Sequence, residues 1–222
     1  MEKQVISKQR VADHGEVFTS TEIVNAMLDL VKYETESISS RFLEPACGTG
    51  NYLIEILRRK LDVVETRYRR SQSDFELNLV LAISSIYGID IQEDNVIVCR
   101  ERLFDLVDAR YTALFKKKAK DACRRTLRYI LHKNIIWGDA LDLKTVGPAT
   151  HQIIFAEWSP FGNNLIRRDY VFAELMPDDN IRQSALFSKD MHVSDLGERV
   201  FLPTETHSYP PVHFLKVAEA YD

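Results

Sequence analysis

The segment from Arg41 to Leu57, RFLEPACGTGNYLIEIL, combines residue types that together can hold a charged organic ligand. A short apolar stretch leads into Glu44 and Pro45, the chain turns through Gly48 and Gly50, and an amphipathic helical pattern follows. Glycines let backbone N–H groups approach a ligand closely, a helix start offers unpaired donors, and a strand-end carboxylate accepts from an ammonium or a hydroxyl. A cofactor with a charged amino-acid end and a nucleoside end would suit this arrangement.

The glycine spacing argues against a nicotinamide dinucleotide as that ligand. Proteins of that class need G-x-G-x-x-G followed by an acid about 20 residues further on. Here the third glycine is absent, and the next acid at a predicted strand end, Asp90, lies much further along the chain. A different nucleoside-containing cofactor is therefore favoured.

Two further predicted strands also end in acids. Apolar residues precede Asp90 in YGID and Asp139 in NIIWGD. An ionised carboxylate is an acceptor with two oxygens and can receive two ribose hydroxyls, although strand-end aspartates also occur as plain loop caps. Ligands bind at the carboxyl ends of the strands in an open α/β sheet. We therefore expect Glu44, Asp90 and Asp139 to converge on one edge of a parallel sheet.

These segments resemble the motifs of one enzyme family in its usual order. Glu44 to Leu53 closely resembles motif I of the S-adenosylmethionine-dependent DNA adenine methyltransferases of restriction-modification systems, an acid and proline followed by A-C-G-T-G-N/G-F/Y-L. Gly15 to Val31 resembles motif X, G-x-x-F/Y-T-P or T-S before a helix, with Ser20 where proline is commoner. Tyr87 to Asn95 resembles motif II, and Asn134 to Leu141 resembles motif III.

The resemblance implies S-adenosylmethionine as the cofactor and S-adenosylhomocysteine as the product. In the family, motif X covers the methionine end, the motif II acid accepts from the ribose hydroxyls, and the motif III acid accepts from the adenine amine. The expected cofactor-binding residues are Phe18, Thr19, Glu44, Pro45, Ala46, Cys47, Gly48, Gly50, Asn51, Asp90, Ile91, Asp139 and Ala140. No metal ion is expected.

The position where the family places motif IV departs from its D/N/S-P-P-Y/F pattern. A strand is predicted from His151 to Phe155 or slightly longer. The segment that follows contains a single proline, Ala156-Glu157-Trp158-Ser159-Pro160-Phe161-Gly162. Adenine-N6 methylation needs acceptors for the amine hydrogens and an aromatic face for the flipped base. Ser159, Pro160 and Phe161 form one shortened version, while Glu157 and Trp158 form another. A strand-ending turn with a packed tryptophan is the alternative interpretation.

Positive charge is concentrated between Arg100 and Lys133, with eleven basic and four acidic residues. The default interpretation is a solvated charged face, and a phosphate-binding surface is the alternative. Arg167 and Arg168 follow the motif IV position and are also candidates for phosphate contacts. Candidate nucleic-acid-binding residues are Lys116, Lys117, Lys118, Arg124, Arg167 and Arg168. The acidic segment from Asp169 to Asp222 is a poor candidate for binding a polyanion.

Composition sets outer limits on function. The 222 residues have a formal net charge of -4, which argues against a uniformly basic nucleic-acid coat but not against a local basic face. The three cysteines are widely spaced, which fits reduced thiols better than a disulfide framework or a metal site. No stretch approaches the roughly 20 apolar residues of a membrane helix, and the N-terminus lacks a secretory signal. A cytoplasmic protein is therefore expected.

The expected fold is α/β and Rossmann-like, a class I methyltransferase fold with a mostly parallel sheet and helices on both faces. An incomplete second half is an alternative. Residues 1–14 are expected to form a mobile segment, and residues 15–222 a single domain without a separate target-recognition domain. Thr19 or Ser20 is expected to cap a helix whose apolar stripe, Ile23, Met27, Leu30 and Val31, packs on the sheet.

Three functions remain open from the sequence. The leading hypothesis is DNA adenine-N6 methylation in a restriction-modification or phage-defence setting, with DNA as a partner and a specificity or restriction subunit as a further candidate partner. The second is an inactive cofactor-binding or regulatory subunit that keeps motifs X to III. The third is a methyltransferase that acts on RNA, protein or a small amine.

Overall fold

The computed structural model describes residues 19–175, 191–193, 199–201 and 204–221. Phe18 and the rest of the motif X segment before Thr19 lie outside these residues, as do residues 1–14. The described helices are α1 Thr21–Asp29, α2 Lys32–Thr35, α3 Asn51–Tyr68, α4 Gln72–Ser84, α5 Glu93–Phe115, α6 Asp121–Asn134, α7 Phe172–Leu175 and α8 Val217–Ala220. Short 3-10 helices cover Lys116–Lys118 and Phe214–Lys216.

The strands alternate with the helices in the first two thirds of the chain. They are β1 Phe42–Glu44, β2 Ile86–Asp90, β3 Ile135–Asp139, β4 Lys144–Thr145, β5 Ile154–Phe161, β6 Asn164–Val171, β7 Met191–Val193, β8 Arg199–Phe201, β9 His207–Ser208 and β10 Val212–His213. This succession gives a mixed α/β fold. It follows from short apolar runs that suit buried strands and longer segments with helical apolar spacing.

Parallel pairing among the described strands is confined to β1, β2 and β3. The order in this sheet is β1-β2-β3-β4, with β4 antiparallel to β3. A second sheet has the order β10-β6-β5, with β9 also paired to β6, and all of its pairs are antiparallel. β7 and β8 form an antiparallel pair. A mostly parallel sheet is therefore not confirmed.

Among the described residues, the long helices lie on one face of the parallel sheet, so the expected helices on both faces are not confirmed. Successive side chains of a strand point to opposite faces. Ile86 of β2 belongs to the large core cluster that contains the buried residues of α3, α4, α5 and α6. Tyr87 and Ile89 belong to a smaller cluster with Ile153, Phe155 and Phe172. The second face is thus covered by the β5 region and the start of α7, because no long helix follows β3 among the described residues.

The fourth predicted strand has different limits in the structure. The strand expected from His151 to Phe155 or slightly longer is observed at Ile154–Phe161, so the motif IV position lies within a strand rather than in the turn after one. β5 pairs with β6 along its whole length, from Ile154 opposite Val171 to Phe161 opposite Asn164. The turn between them contains Gly162 with φ 59°. This hairpin extends the strand beyond the apolar run that marked it in the sequence.

The first helix also packs differently from the prediction. It begins at Thr21 after Ser20, as expected, but its buried residues are Val24 and Leu28. The predicted stripe is largely exposed, with Leu30 exposed by 86% beyond the helix end. Val24 and Leu28 are four residues apart and therefore share one face, which contacts α3. Tertiary packing therefore determines which of the two apolar stripes of α1 is buried.

Candidate functional site

Three strand-end carboxylates line one cavity at the carboxyl edge of the parallel sheet. Glu44 lies opposite Gly88 and Asp90 lies opposite Trp137, so β1, β2 and β3 end side by side. The cavity has a volume of about 580 Å³. The predicted convergence of Glu44, Asp90 and Asp139 is confirmed by the structure.

Most of the predicted cofactor residues lie in this cavity wall. Those that line it are Thr19, Glu44, Pro45, Ala46, Cys47, Gly48, Asn51, Asp90, Ile91, Asp139 and Ala140. Gly50 lies behind the wall, where it precedes α3. The sequence analysis missed Tyr52, Gln92, Asn95, Gly138 and Leu141, which also line the cavity. Each of these lies within five residues of a predicted site residue. That proximity in the chain is the only sequence signal that could have identified them.

The glycine loop between β1 and α3 is held against the end of β2. Gly48 has φ 51° and Gly50 has φ 89°, which are left-handed conformations that glycine adopts without strain. The Gly48 N–H donates to Asp90 Oδ2 at 2.8 Å, and the Cys47 N–H donates to Ile89 O at 2.9 Å. The loop therefore depends on the same carboxylate that the sequence assigns to ribose binding.

Asp90 accepts further hydrogen bonds from the chain that follows it. Its Oδ1 accepts from the Gln92 N–H at 2.9 Å and from Asn95 Nδ2 at 3.2 Å. The side chain is nearly buried, with its residue 9% exposed. A carboxylate has about four lone-pair sites. The three protein bonds thus fix the orientation of Asp90 at the cavity wall and leave acceptor capacity for a ligand hydroxyl.

Glu44 has an altered acidity at the end of β1. Partial burial raises the pKa of Glu44 above its ordinary value, and a hydrogen bond from the Ala46 N–H at 3.3 Å opposes this effect. Burial and the neighbouring Glu44 charge also raise the pKa of Tyr52. A cationic ligand group beside Glu44 would relieve the desolvation of the carboxylate, because an opposite charge favours its ionised form.

Asp139 shapes the loop after β3. Its Oδ1 accepts from the Leu141 N–H at 2.8 Å and the Asp142 N–H at 3.3 Å. Two residues earlier, Trp137 Nε1 donates to Ile91 O at 3.0 Å and so ties the loop after β2 to β3. These contacts fix the two loops that form the far wall of the cavity.

The cysteine in the loop is an inert thiol. Cys47 and Cys99 are both free and buried. A hydrogen bond with Cys99 and burial raise the pKa of the Cys47 thiol far above its ordinary value. Because the thiolate is the nucleophilic form, Cys47 is not a nucleophile at neutral pH.

The motif IV residues lie away from the cavity wall. Glu157 forms ion pairs with Arg41 and, at 3.6 Å, with Arg168. It lines a separate cavity of about 550 Å³ beside β1. Trp158 is buried and its indole N–H donates to Asn134 Oδ1 at 2.9 Å.

The remaining motif IV residues have equally local surroundings. Ser159 Oγ accepts from Arg168 Nη1 at 3.2 Å, and Pro160 lines a shallow groove that includes Tyr33 and Tyr68. Phe161 is 64% exposed at the end of β5. None of the five predicted catalytic residues lines the cavity that contains Asp90.

The candidate nucleic-acid-binding residues divide into paired and unpaired groups. Arg124 donates to Asp108 at 2.6 Å and to Asp121 at 2.9 Å. Arg167 donates to both carboxylate oxygens of Asp169 at 2.7 Å.

Arg168 is also neutralised, because it pairs with Glu205 at 3.1 Å as well as with Glu157. Lys116, Lys117 and Lys118 are exposed, and within the described part of the chain they form no ion pair. Of the six candidates, only these three lysines have a charge that is not paired with a carboxylate among the described residues.

The described residues contain neither a metal-ligand cluster nor a helix that could span a membrane. No group of three or more histidine, cysteine, aspartate or glutamate side chains is arranged to hold a metal ion there. None of the described helices is both long enough and apolar enough to cross a membrane.

Comparison with known proteins identifies the family. A family model described as MmeI, DNA-methyltransferase domain, matches residues 20–157, more than half of the chain. No curated protein and no solved structure matches the chain. The matched span includes the glycine loop and all three strand-end carboxylates, and the resemblance to restriction-modification methyltransferases is confirmed. The chain belongs to the MmeI DNA-methyltransferase domain family, a family of restriction-modification DNA methyltransferases.

Proposed function

We propose that the cavity at the edge of the parallel sheet binds S-adenosylmethionine and that the chain methylates adenine N6 in DNA. The observation that supports this most is the convergence of Glu44, Asp90 and Asp139 with the glycine loop on one cavity. The sheet edge thereby offers acceptors to an ammonium group, to ribose hydroxyls and to an adenine amine. The overall fold proposed is a class I methyltransferase fold, within a single domain over residues 15–222.

The residues present fit each part of this cofactor. Asp90 retains acceptor capacity for ribose hydroxyls, and Asp139 with Ile91 and Ala140 would hold the adenine. Glu44 and Thr19 would hold the methionine end beside the glycine loop. When bound, the cofactor supplies an activated methyl group on a sulfonium. The chain's own contribution here is to bind and orient, because its loop, α3 and α5 are tied together around the site.

Cofactor binding is tested by calorimetry with S-adenosylmethionine and S-adenosylhomocysteine. Asp90→Ala removes the acceptor of the Gly48 N–H, and Gly48→Val forces a β-branched residue to φ 51°. We expect each change to weaken binding by about tenfold or more, which corresponds to about 1.4 kcal/mol. Asp105→Asn, on the exposed side of α5, is the control and should bind as the unmodified chain does. Unchanged affinity in both site variants would remove the basis of the proposal.

Methyl transfer needs a separate measurement. The chain is incubated with methyl-labelled cofactor and with duplex DNA, RNA, protein and small amines, and labelled DNA is digested to nucleosides. We expect label in N6-methyladenine. Label in RNA or protein but not in DNA would contradict the proposed substrate. A restriction-modification role also implies cytoplasmic location and a specificity or restriction subunit as partner, which can be tested by co-purification.

A second function, cofactor binding without methyl transfer, is favoured by one specific observation. Trp158 is buried against Asn134 and Glu157 is paired with arginines, so these motif IV residues already have structural partners in β5. A cofactor-binding subunit of this kind predicts normal calorimetry and no label in any substrate. The two measurements together therefore separate the two functions.

A further inference from the structure

Five exposed cations meet at the end of the helical layer that is remote from the cofactor cavity. Arg69 and Arg70 follow α3, and Lys116, Lys117 and Lys118 follow α5. We call these five residues the distal basic surface. Gln72 Nε2, two residues after Arg70, donates to Lys118 O at 2.7 Å and so joins the two basic segments. Phe75 and Phe115 pack beneath them with ring centroids 5.1 Å apart.

The charges of this surface are not neutralised by the part of the chain that the structure describes. None of its five cations forms an ion pair with a described carboxylate, although neighbouring cations do. Arg110 pairs with Glu65 at 3.3 Å, and Lys120 pairs with the buried Glu76 at 2.7 Å. The cations next to the distal basic surface are thus paired with carboxylates, whereas its own five cations are not. Positive charge is therefore concentrated there.

The backbone at Lys116 provides an independent observation. Lys116 has φ 50° and ψ -123°, a conformation that glycine adopts easily and a lysine does not. Such strain costs about 1–3 kcal/mol at a non-glycine residue and is concentrated at functional sites. A lysine at a position where glycine is more stable suggests that its charge has a function.

Stabilisation of the helix ends does not require this arrangement. Cations in the last turn of a helix interact favourably with the helix dipole, by about 0.3–1 kcal/mol each. That effect falls off within the last turn, whereas all five residues lie beyond the ends of α3 and α5. The strain at Lys116 would also offset most of the free energy that an interaction with the helix dipole contributes. The arrangement fits a polyanionic partner better than it fits dipole compensation.

We propose that the distal basic surface binds the phosphate backbone of duplex DNA, as a contact separate from the cofactor cavity. The polyanion is taken to be DNA because the chain belongs to a family of DNA methyltransferases. The cavity is lined by Glu44, Asp90 and Asp139, which repel phosphates, so backbone contacts are needed elsewhere. α3 begins at the cavity and its 18 residues extend about 27 Å, close to the length of eight base pairs. The contact would hold DNA without selecting its sequence.

The first experiment measures DNA binding by fluorescence anisotropy at several salt concentrations. The probe is a fluorescein-labelled 30-base-pair duplex of mixed sequence. The triple variant Lys116→Ala, Lys117→Ala, Lys118→Ala should bind more weakly for every duplex sequence. The slope of log affinity against log salt should fall by up to about 2.7, since each phosphate contact contributes about 0.9. Lys216→Ala, which removes an exposed lysine that is not part of the distal basic surface, is the control and should leave the slope unchanged.

The second experiment separates a DNA contact from a structural role of the loop. Lys116→Gly relieves the positive φ, so the free energy of unfolding should rise while DNA affinity falls and the slope drops by about 0.9. Lys117→Ala should lower the slope similarly without raising stability. S-adenosylmethionine affinity should stay normal in all these variants, which distinguishes failure here from failure of the proposed cofactor site.

Three results would overturn the proposal. The first is that the unmodified chain does not bind duplex DNA at any salt concentration tested. The triple variant could instead retain the affinity and slope of the unmodified chain. Finally, Arg69→Glu with Arg70→Glu could leave DNA binding unchanged while abolishing capture of an acidic protein segment, which would assign the surface to a protein partner.

Discussion

Single residues outside the cavity wall control the shape of the cofactor loop. Arg102 of α5 donates through Nη1 to Thr49 O at 2.7 Å, Thr49 Oγ1 at 3.0 Å and Asn51 Oδ1 at 2.9 Å. Asn51 Nδ2 in turn donates to Thr19 O at 3.2 Å. Arg102 does not line the cavity, yet it connects α5 to the glycine loop and, through Asn51, to the motif X segment. Its role is to position the loop.

We expect Arg102→Met to weaken S-adenosylmethionine binding about tenfold without removing any group that lines the cavity. The reason is that Thr49 and Asn51 lose a charged donor, so the loop samples other conformations before the ligand binds. Calorimetry measures the affinity. Arg58→Met, which removes an exposed arginine from α3, is the matched control and should have little effect. An unaltered affinity in Arg102→Met would show that the loop is rigid without this residue.

Lys60 is a buried cation whose environment makes stability depend on pH. Its Nζ donates to Ser37 O at 2.7 Å, Ile38 O at 3.1 Å and Ser40 O at 2.6 Å, and the residue is fully buried. Burial lowers the pKa of Lys60 to about 7, with the Glu34 charge acting in the opposite direction. The lysine thus anchors the segment before β1 to α3, but the charged form is destabilised by burial.

The sign of the resulting pH dependence follows from proton binding in the two states. The native chain releases the Lys60 proton near pH 7, whereas the unfolded chain keeps it to about pH 10.4. Because the unfolded state binds more protons between these values, the free energy of unfolding rises with pH, by up to about 1.4 kcal/mol per unit. In Lys60→Met, the free energy of unfolding should no longer rise with pH in this way. Urea denaturation of both chains from pH 7 to 10 measures the difference. Parallel curves for the two would contradict the lowered pKa.

At the scale of elements, local patterns determined which predictions succeeded. Glu44, Asp90 and Asp139 were predictable because a strand-end acid is identified by the apolar run before it and the glycine or helix-start residues after it. The limits of β5 were mispredicted because Ser159 and Pro160 interrupt the apolar pattern in its second half, which is held as a strand by pairing with β6. The stripe on α1 was chosen wrongly because both faces of that helix contain apolar residues, and only its contact with α3 distinguishes them.

The junction between the glycine loop and α3 should be intolerant of any side chain. Gly50 has φ 89°, and a Cβ there would lie 2.7 Å from Cys99 Sγ on α5. We expect Gly50→Ala to lower the free energy of unfolding by about 1–3 kcal/mol, from the positive φ and the contact with sulfur together. Urea denaturation measures the loss. Adding Cys99→Ala should recover the part due to the sulfur and leave the part due to φ.

The Cys99→Ala single variant is the control for that double variant, since it removes a buried sulfur on its own. If the loss in the double variant equals or exceeds the sum of the two single losses, the contact with Cys99 is not the cause. The strain would then reside entirely in the backbone of the loop. Either result assigns the loss at Gly50 to a physical origin.

At the scale of the whole molecule, the cofactor cavity and the motif IV strand are separate regions. The three parallel strands point their acids to one edge, while β5 crosses to the N-terminal ends of β2 and β3. There Trp158 contacts Asn134, which also donates through Nδ2 to Ile86 O at 3.1 Å. Sequence motifs predicted the cavity because its residues follow their strands directly. They could not predict the position of Glu157 to Phe161, since that depends on the long-range packing of β5.

This separation gives a prediction that distinguishes a structural tryptophan from a base-stacking one. Trp158→Phe leaves Asn134 Oδ1 without its buried donor, so the free energy of unfolding should fall by about 1–3 kcal/mol. S-adenosylmethionine affinity of the folded chain should not change. Phe161→Ala, at an exposed position, should change stability by less than about 0.5 kcal/mol. If Trp158→Phe instead abolished methyl transfer at unaltered stability, the indole would have to act on the target base, and β5 would have to approach the cavity during the reaction.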